Sequence, residues 1–154
     1  FLTAMEAAKI IDSAFSINTP LDEIGYMSMF LSPKSLELHN EDKCLVGVLV
    51  IMHGNSTASS MAAVCNEMIG LEHAAALDMP LNMGPELMYE LAKTKIAELD
   101  KGRGVLLMVD MGSLTSFGQM LQEDMGVVIK TVDMVSTAQV IDACRKALLG
   151  RDIH

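Results

Sequence analysis

The sequence predicts an α/β fold: a small doubly wound, mostly parallel sheet of strand order 2-1-3-4 with helices on both faces, preceded by a short helical segment. Three observations carry that expectation. Two uninterrupted apolar runs, Leu45 to Met52 and Gly104 to Asp110, have the length of strands and are apolar on both faces, as parallel strands covered by helices must be. Between and after them, apolar residues return at helical spacing. Each run also ends in a turn rich in Gly, Ser and Thr, Gly54-Asn55-Ser56-Thr57 after the first and Met111-Gly112-Ser113 after the second, where a strand gives way to a helix.

The elements follow in order. Leu2 to Phe15 sets Ala4, Ala7, Ile10, Ile11 and Ala14 at helical spacing. Thr19-Pro20-Leu21-Asp22-Glu23 supplies an N-cap, a first-turn proline and acidic residues beside the helix dipole, which opens a second helix from Pro20 to Leu31. Ser32-Pro33-Lys34 stops it, and the polar stretch Glu37 to Lys43 reads as a linker. One helical segment plus linker thus covers residues 1–38, and a domain covers 44–150. From Leu45 strands and helices alternate: a strand to Met52, a helix from Thr57 to Ile69, a short strand Ala74 to Leu77 and a helix from Gly84 to Leu99. In that last helix Met83, Leu87 and Leu91 are the expected core stripe, with Lys93 and Lys95 opposite. Gly104 to Asp110 is the third strand, Thr115 to Gln122 the next helix, Val127 to Val132 the fourth strand, and Ser136 N-caps a closing helix through Leu149. Right-handed crossovers between parallel strands then leave the 2-1-3-4 sheet.

Composition narrows the function. A chain of 154 residues, 51% apolar, suits one compact core. A net charge of −9 with only 11 Lys and Arg disfavours direct contact with nucleic acid. Its longest apolar runs are strand-sized, well short of the roughly 20 residues of a membrane helix, and no signal segment opens the chain, so neither membrane insertion nor export is expected. Cys44, Cys65 and Cys144 have no metal-ligand or disulfide spacing, and no histidine or carboxylate pattern suggests a metal; no cofactor is implied, and the compartment reads as reducing cytoplasm. Fourteen Met and no Trp give a flexible, aromatic-poor core. Phe1 follows no initiator Met and the first residues read as mid-helix, so the chain is expected to be part of a longer polypeptide.

The informative residues stand at the strand ends. His53 closes the first strand and Asp110 the third. In a 2-1-3-4 sheet these strands are neighbours whose connections leave to opposite faces, so their carboxyl ends form the crevice where ligands bind. An imidazole is a nitrogen nucleophile near neutral pH, and a carboxylate on one ring nitrogen fixes the tautomer that frees the other. Gly54, Asn55, Ser56 and Thr57 would turn N–H groups and hydroxyls toward a phosphoryl group on the ring, with the helix dipole favouring the anion. Ser113 and Thr115 would complete the pocket. Each residue also has an ordinary role as turn or cap; their convergence is what points to anion or phosphoryl chemistry. His39, His73 and His154 are read as surface residues.

The pairing of Val48-Leu-Val-Ile-Met-His53-Gly with Val105-Leu-Leu-Met-Val-Asp110-Met-Gly-Ser-Leu resembles the mannose-family enzyme IIA domain of the bacterial phosphoenolpyruvate-dependent sugar phosphotransferase system, over roughly Leu45 to Gly150. That resemblance implies that His53 accepts a phosphoryl group on Nε2 from the phosphocarrier HPr while Asp110 holds Nδ1. It also implies a homodimer. Transporter members follow the aspartate with a Gly-Gly-Ser-Pro turn, whereas Met111-Gly112-Ser113-Leu114-Thr115-Ser116, with Asp78-Met-Pro-Leu-Asn82 and Val135-Ser-Thr137, is similar to the module within sigma-54-dependent activators of sugar-uptake operons. Pro20-Leu-Asp-Glu-Ile-Gly-Tyr26-Met-Ser-Met-Phe-Leu31 resembles the closing helix of a phosphotransferase regulation domain, with Phe30 where such domains carry a phosphorylatable histidine.

The expected function is therefore a phosphoryl-acceptor regulatory module. Two alternatives stand beside it: a transporter subunit passing its phosphoryl group to enzyme IIB, and a non-catalytic sensor of a small anion. None of these readings involves direct nucleic-acid contact by this chain.

Overall fold

The computed structural model describes residues 2–31 and 44–153. The helix stop at Ser32-Pro33-Lys34, the linker over Glu37 to Lys43, His39 and His154 lie outside the described residues, as does the side chain of Phe30. The chain divides into two compact units, residues 1–43 and 44–154.

The first unit pairs helix α1 (Leu2–Phe15) with helix α2 (Leu21–Leu31). Among the described residues of this unit Ala4 and Ala8, one helical turn apart, are buried, whereas Ile10 and Phe15 are exposed. The buried face is therefore narrower than the expected stripe. Thr19 does not cap α2 with its side chain: its hydroxyl and its N–H both donate to Asp12 Oδ1 of α1, at 2.6 and 2.9 Å. The first turn of α2 closes instead on the backbone, Ile24 N–H to Pro20 O at 3.1 Å.

The second unit contains β1 (Gly47–His53), α3 (Thr57–Ile69), β2 (Ala74–Met79), α4 (Pro85–Leu99), β3 (Val105–Val109), a 3-10 turn (Gly112–Ser116), α5 (Phe117–Met125), β4 (Ile129–Val132) and α6 (Thr137–Leu148). All strand pairs are parallel, in the predicted order β2-β1-β3-β4. Helices α4 and α5 cover one face of the sheet. There Leu49 and Ile51 of β1 and Val105, Leu107 and Val109 of β3 pack against Met88, Ala92, Ile96, Phe117 and Leu121. The alternate residues of β1, Val48, Val50 and Met52, turn toward the other face, that of α3 and α6, and are equally buried. Burying each such aliphatic side chain contributes about 1.5–3 kcal/mol, so β1 is anchored by burial as far as Met52, one residue short of its end.

The core stripe of α4 is Met88, Ala92 and Ile96. Leu87 and Leu91 are exposed and Met83 precedes the helix. Both sets repeat every four residues, and the larger side chains misled the expectation; the small Ala92 lets the helix sit close to the sheet. The helix after β3 begins as a 3-10 turn because Thr115 and Ser116 donate their hydroxyls to the carbonyls three residues back, Gly112 and Ser113, both at 2.8 Å. Serine 136 opens α6 as expected, its N–H donating to Gln139 Oε1 at 2.7 Å in a capping box.

Candidate functional site

The registers set the site. β1 pairs with β3 as far as Ile51 opposite Val109, and with β2 as far as His53 opposite Met79. β1 therefore overruns β3 by two residues, and Asp110, just past Val109, turns its carboxylate across the overhang. Asp110 Oδ2 accepts the His53 backbone N–H at 2.9 Å, while Oδ1 lies 2.9 Å and Oδ2 3.2 Å from His53 Nδ1. The Met111 N–H donates to Oδ1 at 2.7 Å. The backbone is anchored too: Asp110 O accepts from Met134 N at 2.9 Å and Val109 O from Val135 N at 3.2 Å. Burial pushes the Asp110 carboxyl up, but the hydrogen bonds from the His53 N–H, the His53 ring and the Met111 N–H outweigh it and hold the group below the ordinary carboxylate value.

A carboxylate only accepts, so the proton of the neutral imidazole sits on Nδ1 and the lone pair on Nε2. The side chains of His53 and Asp110 are 20% and 24% exposed, which leaves the ring partly open to solvent.

After His53 the chain turns through Gly54 at φ 124°, a backbone that side chains rarely adopt. A Cβ there would lie 2.4 Å from Thr57 Oγ1. The Gly54 N–H donates to Met79 O at 2.9 Å, tying the turn to β2. Asn55, Ser56 and Thr57 are exposed, and among the described residues no hydrogen bond takes up their N–H groups. The next two amides differ: Ala58 N–H and Ser59 N–H donate to Asp78 Oδ1 at 2.8 and 3.2 Å, and the Ser59 hydroxyl donates to Oδ2. β2 runs on to Met79, two residues beyond its predicted end, which carries Asp78 to the start of α3. Sequence reasoning gave this residue no role at the site. The available signal was an aspartate closing an apolar run one strand away from a Ser-rich helix start.

On the other side, Gly112 lies beside the ring: a Cβ at this position would be 3.8 Å from His53 Cε1. Buried Leu114 anchors the turn. Ser113 is exposed and, with Glu86, Tyr89, Glu90, Phe117 and Met120, lines a cavity of about 450 Å³. The Thr115 hydroxyl is directed back at Gly112 O, so its proton is not offered to a ligand.

A family model described as "PTS system fructose IIA component" (EIIA-man) matches residues 47–152. The chain belongs to the EIIA-man family. It is 42% identical over 146 residues to the transcriptional regulatory protein LevR of Bacillus subtilis (strain 168), a match covering 94% of this chain and 15% of that protein. The transcriptional regulatory protein DagR of Salmonella typhimurium (strain 14028s / SGSC 2262) is 28% identical over 114 residues, covering 73% of this chain and 12% of that protein. The chain thus spans a small part of either curated relative. A solved structure of a sigma-54 interaction domain protein from Enterococcus faecalis superposes with TM-score 0.68 at 43% identity, over 71% of this chain and 83% of that one. The mannose/sorbose-specific IIA subunit of the phosphotransferase system from the same organism shares the fold, with TM-score 0.53 at 20% identity over 65% of this chain and 76% of that one.

The rest of the EIIA-man domain corrects one expectation. His73 is not a surface residue: it is half-buried, and its Nε2 is buried without a hydrogen-bond partner among the described residues. Burial pushes its pKa down, partly offset by a hydrogen bond with the Val46 backbone. Cys65 and Cys144 are fully buried free thiols on α3 and α6. Their mutual hydrogen bond raises Cys144 and lowers Cys65. Among the described residues no group of three His, Cys, Asp or Glu could hold a metal ion, and no helix is long and apolar enough to cross a membrane.

Proposed function

We propose that this chain is a phosphoryl-acceptor regulatory module of a transcriptional activator, in which His53 receives a phosphoryl group from the phosphohistidine of HPr to adjust transcription of a sugar-uptake operon. The observation that carries this reading is the His53–Asp110 pair, which occupies Nδ1 and leaves Nε2 without a hydrogen-bond partner among the described residues. The lone pair of Nε2 attacks phosphorus in line, the donor's N–P bond breaks, and its electrons return to the donor ring, which leaves as neutral imidazole when its other nitrogen is protonated. The His53 ring then carries the positive charge, with its proton still on Nδ1 against Asp110. The N–H groups of Asn55, Ser56 and Thr57, which no hydrogen bond among the described residues takes up, are available to the phosphoryl oxygens at the dipole end of α3. The phosphoryl group carries about −1.5 to −2 charges at pH 7, offset in part by the positive ring, and the net negative charge added at the crevice alters docking of neighbouring domains.

Identity favours a regulator: 42% and 43% with a transcriptional regulatory protein and a sigma-54 interaction domain protein, against 20% with a sugar-specific IIA subunit. On this reading residues 1–38 are the end of a phosphotransferase regulation domain, and the longer protein works in the cytoplasm as a homodimer. The test is incubation with phosphoenolpyruvate, enzyme I and HPr, followed by mass analysis. One phosphoryl group on the natural chain and none on His53→Ala is the expected result. An unmodified chain, or a modified His53→Ala variant, contradicts it. Onward transfer to an enzyme IIB protein would instead support the transporter reading. Protection of His53 by a small anion with no mass change would favour a sensor.

A further inference from the structure

The geometry points to Asp78 as a positioning residue that limits how firmly a phosphoryl group on His53 is held, by occupying part of the anion-binding capacity of α3 before the phosphoryl group arrives. This rests on the phosphoryl-acceptor reading of His53. The first turn of a helix presents N–H groups without intrahelical partners, together with the positive end of the dipole. In α3 the amides of Ala58 and Ser59 already donate to Asp78 Oδ1, at 2.8 and 3.2 Å, and the Ser59 hydroxyl donates to Oδ2. One anion is therefore built into this helix end. Only the Asn55, Ser56 and Thr57 amides remain for a second.

The two anions belong to adjacent strand tips. Met52 pairs with Asp78 and His53 with Met79, and the Gly54 N–H donates to Met79 O. The loop that would contact the phosphoryl group is thus tied to the strand that carries the carboxylate. A phosphoryl group on His53 meets a helix end already partly neutralised by a carboxylate, and a like charge on the adjacent strand. Both effects leave the group easier to return to its donor, which is what a reversible signal requires.

A purely structural cap and an electrostatic limiter give opposite signs on removal of the charge. Asp78→Asn keeps an oxygen acceptor for the Ala58 and Ser59 amides and loses the negative charge. With the full chain equilibrated at a fixed ratio of phosphorylated to unphosphorylated HPr, the phosphorylated fraction of His53 is read by intact mass. A charge at a helix terminus changes such an equilibrium by about two- to fivefold, so the ratio of phosphorylated to free His53 should rise by that factor in Asp78→Asn. An unchanged or lower ratio overturns the inference. Should Asp78→Asn lose cooperative thermal unfolding, Asp78→Ser is read in its place with the same two outcomes.

If the natural chain takes no phosphoryl group from HPr, the phosphoryl-acceptor reading has failed. The inference is then decided by inorganic phosphate titrated against the backbone amides of Asn55, Ser56 and Thr57. About two- to fivefold tighter binding to Asp78→Asn than to the natural chain supports it. Equal, weaker or undetectable binding to that variant overturns it.

Discussion

Asp110 holds His53 by main chain and ring at once: Oδ2 accepts the His53 N–H at 2.9 Å, and Oδ1 lies 2.9 Å from Nδ1. The carboxylate replaces the strand partner that β3 no longer supplies at this register, so loss of Asp110 frees both the strand tip and the ring. A hydrogen bond to a charged group contributes about 1.5–3 kcal/mol, roughly a 10- to 100-fold effect. Asp110→Ala should slow phosphorylation of His53 by that factor in an initial-rate assay. Asp110→Asn should not restore the rate, because an amide N–H turned toward Nδ1 favours the tautomer that protonates Nε2.

Gly54→Ala forces a side chain into φ 124° and brings Cβ to 2.4 Å from Thr57 Oγ1. Backbone strain of this kind costs about 1–3 kcal/mol, and urea unfolding should record a loss of that size. Adding Thr57→Ala removes the contact but not the torsional strain, so the double variant should recover part of the loss. Full recovery would mean that the contact alone matters.

Asn66, a buried polar residue near the end of α3, braces the start of β2. Its Nδ2 donates to Ala74 O and Glu72 Oε2, both at 2.9 Å, and its Oδ1 accepts from His73 N at 3.1 Å and Ala74 N at 2.9 Å. Asn66→Ala strands several of these groups away from water and should cost about 2–4 kcal/mol. Chemical denaturation measures it. A change under 1 kcal/mol, on the order of one surface hydrogen bond, would contradict the bracing role.

Two groups give stability a pH dependence, in separate windows. The His73 pKa is depressed in the fold, so below its unfolded value of about 6.5 the unfolded chain binds the proton first and stability falls with pH. The Asp110 pKa is also depressed; its contribution is present above the unfolded value of about 3.9 and is lost as pH falls through the folded one. Melting temperature followed from pH 7 to 3 should fall across both windows. His73→Gln should flatten the upper one and Asp110→Asn the lower.

The sheet was legible because parallel strands buried on both faces leave continuous apolar runs, and topology then puts two particular strand tips side by side. That logic reached both His53 and Asp110. It failed where a contact depended on lengths rather than types. Asp78 interrupts the hydrophobic pattern, so β2 looked two residues shorter than it is, and the carboxylate at the start of α3 stayed invisible. Gly112 at φ 68°, with hydroxyls returning to nearby carbonyls, delays α5 to Phe117, a choice between 3-10 and α geometry that periodicity does not register. His73 looked like a turn residue because its burial comes from tertiary packing rather than its neighbours in sequence.

The proposed chemistry puts the phosphoryl group on His53 Nε2 while Asp110 keeps Nδ1. It is tested most directly by phosphorylating ¹⁵N-histidine-labelled chain with phospho-HPr and reading which ring nitrogen of His53 couples to phosphorus. Coupling to Nε2 alone, with the Nδ1 proton retained, is the predicted result. Coupling to Nδ1, or a phosphoryl group on any other residue, would contradict the account.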